Sequence, residues 1–303
     1  MNVRVDAKSA QDAGPAVLSR VADLAALMKL RLNLLVLAAV ATGYVLGATT
    51  GVSLPQLGWV LAGVLLAGGG SSALNMAMEA ERDRLMDRTR HRPVAAGRIS
   101  KDEAVLFGAL LSFAGVGVVA LGGGWLAATL CATTIALYVA VYTPLKTRST
   151  LNTWVGAIPG ALPPLIGWAA ATGGLSMPAL TLFGIIFFWQ FPHFFAIASI
   201  YKDDYKRGGF KMLPVVDTHG LRTAHQTLIC AMALIPVSLL PAVTRIAGPT
   251  YFTGAFALAM IYLVFSVRAA ITKATPAWRD LLRTSLIVLP GFFVLMMVDR
   301  LPL

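Results

Sequence analysis

Charge is what this 303-residue chain has least of: 13% of its residues are charged and 57% are hydrophobic, where soluble domains carry about a quarter charged residues. That deficit excludes an ordinary soluble domain. Cysteine is nearly absent too. Cys131 and Cys230 both sit inside apolar runs, with no metal-ligand spacing and no oxidised framework, and read as small buried side chains. The chain lacks the ~10-residue alternating segments of a membrane β-barrel. It also lacks any polar block long enough for a second domain.

Long apolar stretches are what is there. A membrane helix needs roughly 20 mainly apolar residues, and nine runs qualify, at about 30–49, 55–75, 103–121, 125–143, 151–173, 178–200, 225–245, 250–268 and 283–299. The expected fold is an all-α polytopic membrane protein with nine transmembrane helices. Residues 1–22 read as a polar N-terminal tail and 23–303 as one membrane domain. The first run lies past Lys29 and Arg31 and is longer than a signal h-region, so it reads as a retained anchor.

The cations orient the bundle. Of the 25 Lys and Arg, 23 fall in the N-terminal tail or in every second connection, leaving only Arg245 and Arg300 opposite. The positive-inside rule puts the N-terminus in the cytoplasm. The net charge of +11 is then a topology signal rather than a nucleic-acid footprint. An odd span count and charges gathered at one face, not mid-membrane, disfavour a transporter.

The scarce acids are concentrated. Residues 79–101 hold seven basic and four acidic residues, opening as Asn75-x3-Glu79-x3-Asp83-x3-Asp87. Residues four apart share a helix face, drifting about 40° per step. Carboxylates with an amide at a membrane boundary suit Mg²⁺, which binds carboxylate and phosphate oxygens and keeps some waters. The bland alternative, a solvated helix end of mixed charge, is weakened because Asn75 and Glu79 fall at the end of an apolar run, where uncompensated polar groups are costly. A second acidic stretch, Tyr201-Lys202-Asp203-Asp204-Tyr205-Lys206-Arg207, follows the sixth run. Asp83-x9-Pro93-Val94 is echoed there by Asp204-x9-Pro214-Val215, which would set two acidic loops facing one another over a shared cavity. Asp203 and Asp204 cannot share a helix face, and Asp204 is the echo of Asp83.

Other residues are more equivocal. Arg88, Arg92, Lys146 and Arg148 each alone fit the positive-inside pattern; Lys146, beside Tyr142 at the end of the fourth run, also suits the charge of a leaving diphosphate. His193, in Trp189-Gln190-Phe191-Pro192-His193-Phe194, lies inside the sixth run, where it suits iron ligation, proton transfer or a plain helix–helix hydrogen bond. The surrounding phenylalanines are either packing bulk or a wall for a flat or isoprenoid ligand. Gly68-Gly69-Gly70-Ser71-Ser72 allows close approach of a helix or a ligand. Pro159, Pro163 and Pro164 should bend the fifth helix.

Taken together, Asn75-x3-Glu79-x3-Asp83, Asp87-Arg88-Thr89 with Arg92-Pro93, Tyr142–Lys146 and Asp203-Asp204-Tyr205 through Met212-Leu213-Pro214-Val215-Val216 resemble the UbiA superfamily of intramembrane prenyltransferases. Trp189-Gln190-x-Pro192-His193-Phe194 and the Met-Leu-Pro-Val-Val stretch resemble its haem-farnesylating branch, and the likeness covers nearly the whole chain. It implies helices around a central cavity in the cell inner membrane, with Mg²⁺ held by Asn75, Glu79, Asp83, Asp87, Asp203 and Asp204. Farnesyl diphosphate and haem B would be bound by Asn75, Arg88, Arg92, Tyr142, Lys146, Lys202, Trp189 and His193. Asp83, Asp204, Lys146 and His193 would take part in the chemistry, which yields haem O. Transient contact with a haem A synthase or terminal-oxidase assembly is a further implication. Glu79 departs from the family's motif, which has Asp there; it keeps the carboxylate and adds a methylene. Rival readings are a quinone-precursor or chlorin acceptor, and a non-catalytic haem-binding assembly factor.

Overall fold

The computed structural model describes residues 13–49 and 51–301. Its elements are helical: α1 (Ala13–Leu27), α2 (Leu30–Gly47), α3 (Leu54–Asp83), α4 (Lys101–Leu145), α5 (Asn152–Thr172), α6 (Met177–Ile200), α7 (Lys202–Arg207), α8 (Leu213–Val216), α9 (Leu221–Val243), α10 (Pro249–Thr272) and α11 (Thr275–Val298). Among the described residues, the only strand-like pairing is an isolated bridge between Ala247 and Arg300. The expected polar tail falls largely outside the described residues, and its boundary at 22/23 lies within α1.

Eight of these helices are long and apolar enough to cross a membrane, where the sequence reading expected nine. The difference lies in α4. Its 45 residues would reach about 68 Å if straight, roughly twice a hydrocarbon core. It is not straight: Gly124 takes φ 80°, ψ 172°, a conformation open to glycine, and breaks the helix there. Both ends of α4 then return to one end of α3. Gly108 packs on Gly70 and Leu74, Thr143 bonds Asn75, and Gly122, beside the break, lies against Trp59 at the opposite end of α3. The runs expected at 103–121 and 125–143 are therefore two arms joined by a one-residue hinge rather than by a loop.

Small residues let the backbones meet. A methyl group added at Gly70 would stand 2.5 Å from the Gly108 carbonyl oxygen, and one at Gly115 2.4 Å from the Ala67 nitrogen. Gly68 and Gly69 face Asn33 and Met28 in the same way. The glycine run of α3 is thus helix-packing surface on two sides. The prolines of α5 act as expected: the helix divides at Leu162, with Pro163 and Pro164 beginning its second half, and the Gln190 amide reaches across from α6 to the Ala157 carbonyl at 2.9 Å.

Two large apolar cores, one built on α2–α5 and the other on α5, α6 and α9–α11, fill the bundle. A smaller one positions the site. Met86, from the segment after α3, is buried against Ala198, Phe210 and Met212 from the end of α6 and the segment after α7. Arg82 donates to the Gly208 carbonyl at 2.9 Å, and the Lys211 N–H donates to the Lys146 carbonyl at 2.7 Å. The two charged connections are therefore packed together at one end of the molecule.

Candidate active site

The last turns of α3 present Asn75, Glu79 and Asp83 on one face, and all three are almost completely buried, at 1%, 6% and 1% exposure. Each has a cationic partner. The Lys146 ammonium donates to Glu79 Oε1 at 2.8 Å, Arg92 donates to both Asp83 carboxylate oxygens at 3.0 and 2.8 Å, and the Lys29 ammonium donates to Asn75 Oδ1 at 3.1 Å. The Asn75 amide in turn donates to Thr143 Oγ1 at 3.2 Å.

Local backbone features aim these cations. Residues 137–142 of α4 widen into a π-helical segment, a departure often found at functional sites. It precedes Thr143 and Lys146 and leaves the Lys146 ammonium 4.6 Å from the centre of the Tyr142 ring. Lys29 sits at the α1–α2 junction in the left-handed region, φ 48°. Burial on its own would lower the Lys146 pKa, but the neighbouring Glu79 carboxylate overrides it and holds the ammonium above the usual lysine value. For Lys29 burial wins, aided by Arg92 and Lys146, and the group falls to about 7.

Asp204 reaches the first acidic stretch from the opposite half, at the turns after α3. It is 8% exposed and accepts the backbone N–H groups of Asp87 and Arg88, both at 3.3 Å, as well as the Arg207 guanidinium. Arg207 also pairs with Asp87. The two acidic stretches that echo one another in sequence thus meet in space.

Several sequence-expected residues stand elsewhere. Asp87 is not a further turn of α3: the helix ends at Asp83, Arg84 caps it, and the chain enters hydrogen-bonded turns in which the Asp87 side chain is 66% exposed. Asp203 is exposed and, among the described residues, makes no hydrogen bond or ion pair. Arg88 lies over Tyr201 and Tyr205, 4.9 and 5.5 Å from their ring centres, and stitches the two stretches together. Lys202 lines a separate cavity with Lys273. Trp189 and His193 stack on each other and are tied to α11: the Trp189 indole donates to the Ser285 carbonyl at 3.0 Å and His193 Nδ1 meets Ser285 Oγ at 2.7 Å. Ser285 Oγ also lies 2.6 Å from the Leu282 carbonyl, so the serine hydroxyl bridges the two helices. Phe191 and Phe195 are buried core; Phe183, Phe187 and Phe191 form a ladder beside Trp154. Sequence reasoning missed Lys29, Thr143 and Arg207 as site residues. For Lys29 the signal was its place at the mouth of the first apolar run, read there as orientation alone.

Among the described residues, no three carboxylate, imidazole or thiol groups gather into a protein-only metal cage. Separate carboxylates and an amide, backed by cations, suit an ion that takes much of its coordination from phosphate and water.

The chain matches the model of the UbiA prenyltransferase family over residues 35–292. It is 42% identical to a protoheme IX farnesyltransferase of Solibacter usitatus, over 92% of this chain and 98% of that one. It is 38% identical to a protein of the same name from Koribacter versatilis, over 94% and 96%. Its fold is similar to that of a digeranylgeranylglyceryl phosphate synthase (TM-score 0.77, 15% identity, 93% and 98% covered) and of a UbiA homologue from Aeropyrum pernix (0.71, 19%, 87% and 98%). A UbiA homologue from Archaeoglobus fulgidus, solved with GPP and Mg²⁺, is similar at a TM-score of 0.63 and 16% identity, over 91% and 99%.

Proposed function

The chain belongs to the UbiA prenyltransferase family, and from that premise we propose that it transfers a farnesyl group from farnesyl diphosphate to a vinyl group of haem B, with addition of water, giving haem O and diphosphate. It is an integral, multi-pass membrane prenyltransferase. The acceptor reading is supported by relatives named protoheme IX farnesyltransferase that match nearly end to end. The observation that carries the chemistry is the buried row Asn75, Glu79 and Asp83, each met by a cation (Lys29, Lys146 and Arg92), with the Asp204–Arg207 pair bound to the turns that follow Asp83.

Asn75, Glu79, Asp83 and Asp204 would hold Mg²⁺, which when bound neutralises diphosphate and improves it as a leaving group. Lys146, Arg92 and Lys29 already point into the same cluster, so each can move its donors from a carboxylate to a phosphate oxygen as charge develops there. The allylic C–O bond breaks, the terminal vinyl carbon bonds to farnesyl C1, and water adds at the inner vinyl carbon and releases a proton. The electron pair of the broken bond leaves with diphosphate. His193, stacked on Trp189, is the candidate for the water's proton. We place the protein in the cell inner membrane with nine spans and a cytoplasmic N-terminus; the product must be passed onward, which fits transient contact with a haem A synthase or oxidase-assembly protein.

Purified protein given farnesyl diphosphate, Mg²⁺ and haem B is expected to form haem O, read by mass. No haem O, with prenylation of a quinone precursor instead, would replace the acceptor. Haem binding without farnesyl transfer to any acceptor would leave a non-catalytic scaffold.

A further inference from the structure

A cavity of about 160 Å³ opens on the same face of the molecule as the acidic stretches, across α7 from them. Lys202 and Asp204 stand two positions apart on α7, so their side chains leave it roughly 200° apart. Asp204 turns to the backbone of Asp87 and Arg88, and Lys202 lines the cavity. Lys273 lines it from the α10–α11 turn, held in the left-handed region at φ 54°, with its ammonium donating to the His219 carbonyl at 2.8 Å. Lys202 is half-buried and, among the described residues, its ammonium makes no hydrogen bond or ion pair. Trp278, 4% exposed, forms part of the wall. The acid there, Asp217, is engaged in capping α9, where its carboxylate accepts the Thr223 N–H at 2.8 Å and hydroxyl at 3.0 Å.

Two lysines, Lys202 half-buried and Lys273 exposed, share this cavity with a buried indole at the ends of membrane helices; with the nearby acid already committed, they make a receptor for an anion held at the interface. Basic pockets between helices at this level take lipid headgroups, and tryptophan favours the same depth. We propose that this cavity binds the carboxylate or phosphate head of a membrane-resident amphiphile. Resting on the haem reading above, the favoured occupant is the acceptor: protohaem carries two propionates on one edge and its vinyl groups towards the other. The helices that frame the cavity, α6 and α11, also carry His193 and its partner Ser285, His193 lying six residues, about 9 Å, along α6 from the cavity-lining Ser199. An anionic lipid offers the same chemistry.

The test uses the full chain in phosphatidylcholine nanodiscs, with or without phosphatidylglycerol. Haem B and its dimethyl ester, whose carboxylates are blocked, serve as probes read by tryptophan quenching without farnesyl diphosphate. Lys202→Gln/Lys273→Gln is expected to weaken haem B binding roughly tenfold, with Lys202→Arg/Lys273→Arg restoring it and the ester binding parent and variants alike. If haem B binding is unmoved but the effect of phosphatidylglycerol on turnover disappears in the Gln pair, the anion site stands and its occupant is lipid. A Gln pair that matches the parent in both haem affinity and lipid response overturns the site. Lysine-dependent haem binding by a parent protein that makes no haem O would keep the cavity and remove the farnesyltransferase reading.

Discussion

Asp203 and Asp204 are neighbours in sequence and strangers in space. The pattern left the choice between them open, because adjacent residues point about 100° apart on a helix and either could be the inward one. Burial decides: Asp204 is 8% exposed and held by two backbone N–H groups and Arg207, while Asp203 faces out. Asp204→Asn is therefore expected to lower kcat/KM by about 10²-fold or more, and Asp203→Asn by less than threefold, read in the haem O assay; equal losses would remove Asp204 from its role. Lys146 offers a second contrast. Lys146→Met leaves Glu79 buried and unpaired, which costs about 1–3 kcal/mol of stability, and it removes a donor for the leaving group. Adding Glu79→Gln should recover much of the thermal stability but none of the turnover. Lys29 shows where residue-scale reading failed. Its charge fitted the orientation pattern so well that nothing marked it as a neighbour of Asn75, a contact created by the left-handed turn before α2.

The elements were legible wherever apolar length fixed them. Ser100 and Glu103 form a capping box at the start of α4, a Ser-x-x-Glu pattern that the reading of apolar runs passed over when it began this element at 103. The hinge at Gly124 and the π-helical segment at 137–142 were not legible, since both lie inside unbroken apolar sequence and depend on what packs outside it. Asp217 marks the start of α9. Burial works against its charge, but the N–H and hydroxyl of Thr223 and the N–H groups of Gly220 and Arg222 hold its carboxyl below the ordinary value. A depressed folded-state pKa contributes stability above the unfolded value, and that contribution fades as pH falls through the folded one. Asp217→Asn should therefore melt below the parent at pH 7, and the gap in Tm should close as pH drops below about 4. A gap that stays constant across that range would mean the cap does not depend on the carboxylate's charge.

For the whole molecule, the charge map of the sequence sets a condition that the packing of the chain can be compared with. Alternating connections carry 23 of 25 cations, which requires an even number of crossings between the loop at 84–100 and the segment around Lys146. The structure folds α4 back on itself at Gly124, so that Gly108 and Thr143 both reach one end of α3, the geometry that two crossings would need. Eight unbroken spans would place Lys146 across the membrane from Glu79, yet the two are 2.8 Å apart. The hinge should then face the side opposite the acidic stretches. The native thiols are silent background, because Cys131 and Cys230 are 2% and 0% exposed. A membrane-impermeant maleimide added to intact cells should label Trp125→Cys at the hinge and Leu175→Cys before α6, at sites 83% and 44% exposed. Lys101→Cys should react only after the cells are opened. Labelling of Lys101→Cys in intact cells would invert the orientation. A Leu175→Cys as unreactive in intact cells as Lys101→Cys would put both on one side and return α4 to a single crossing.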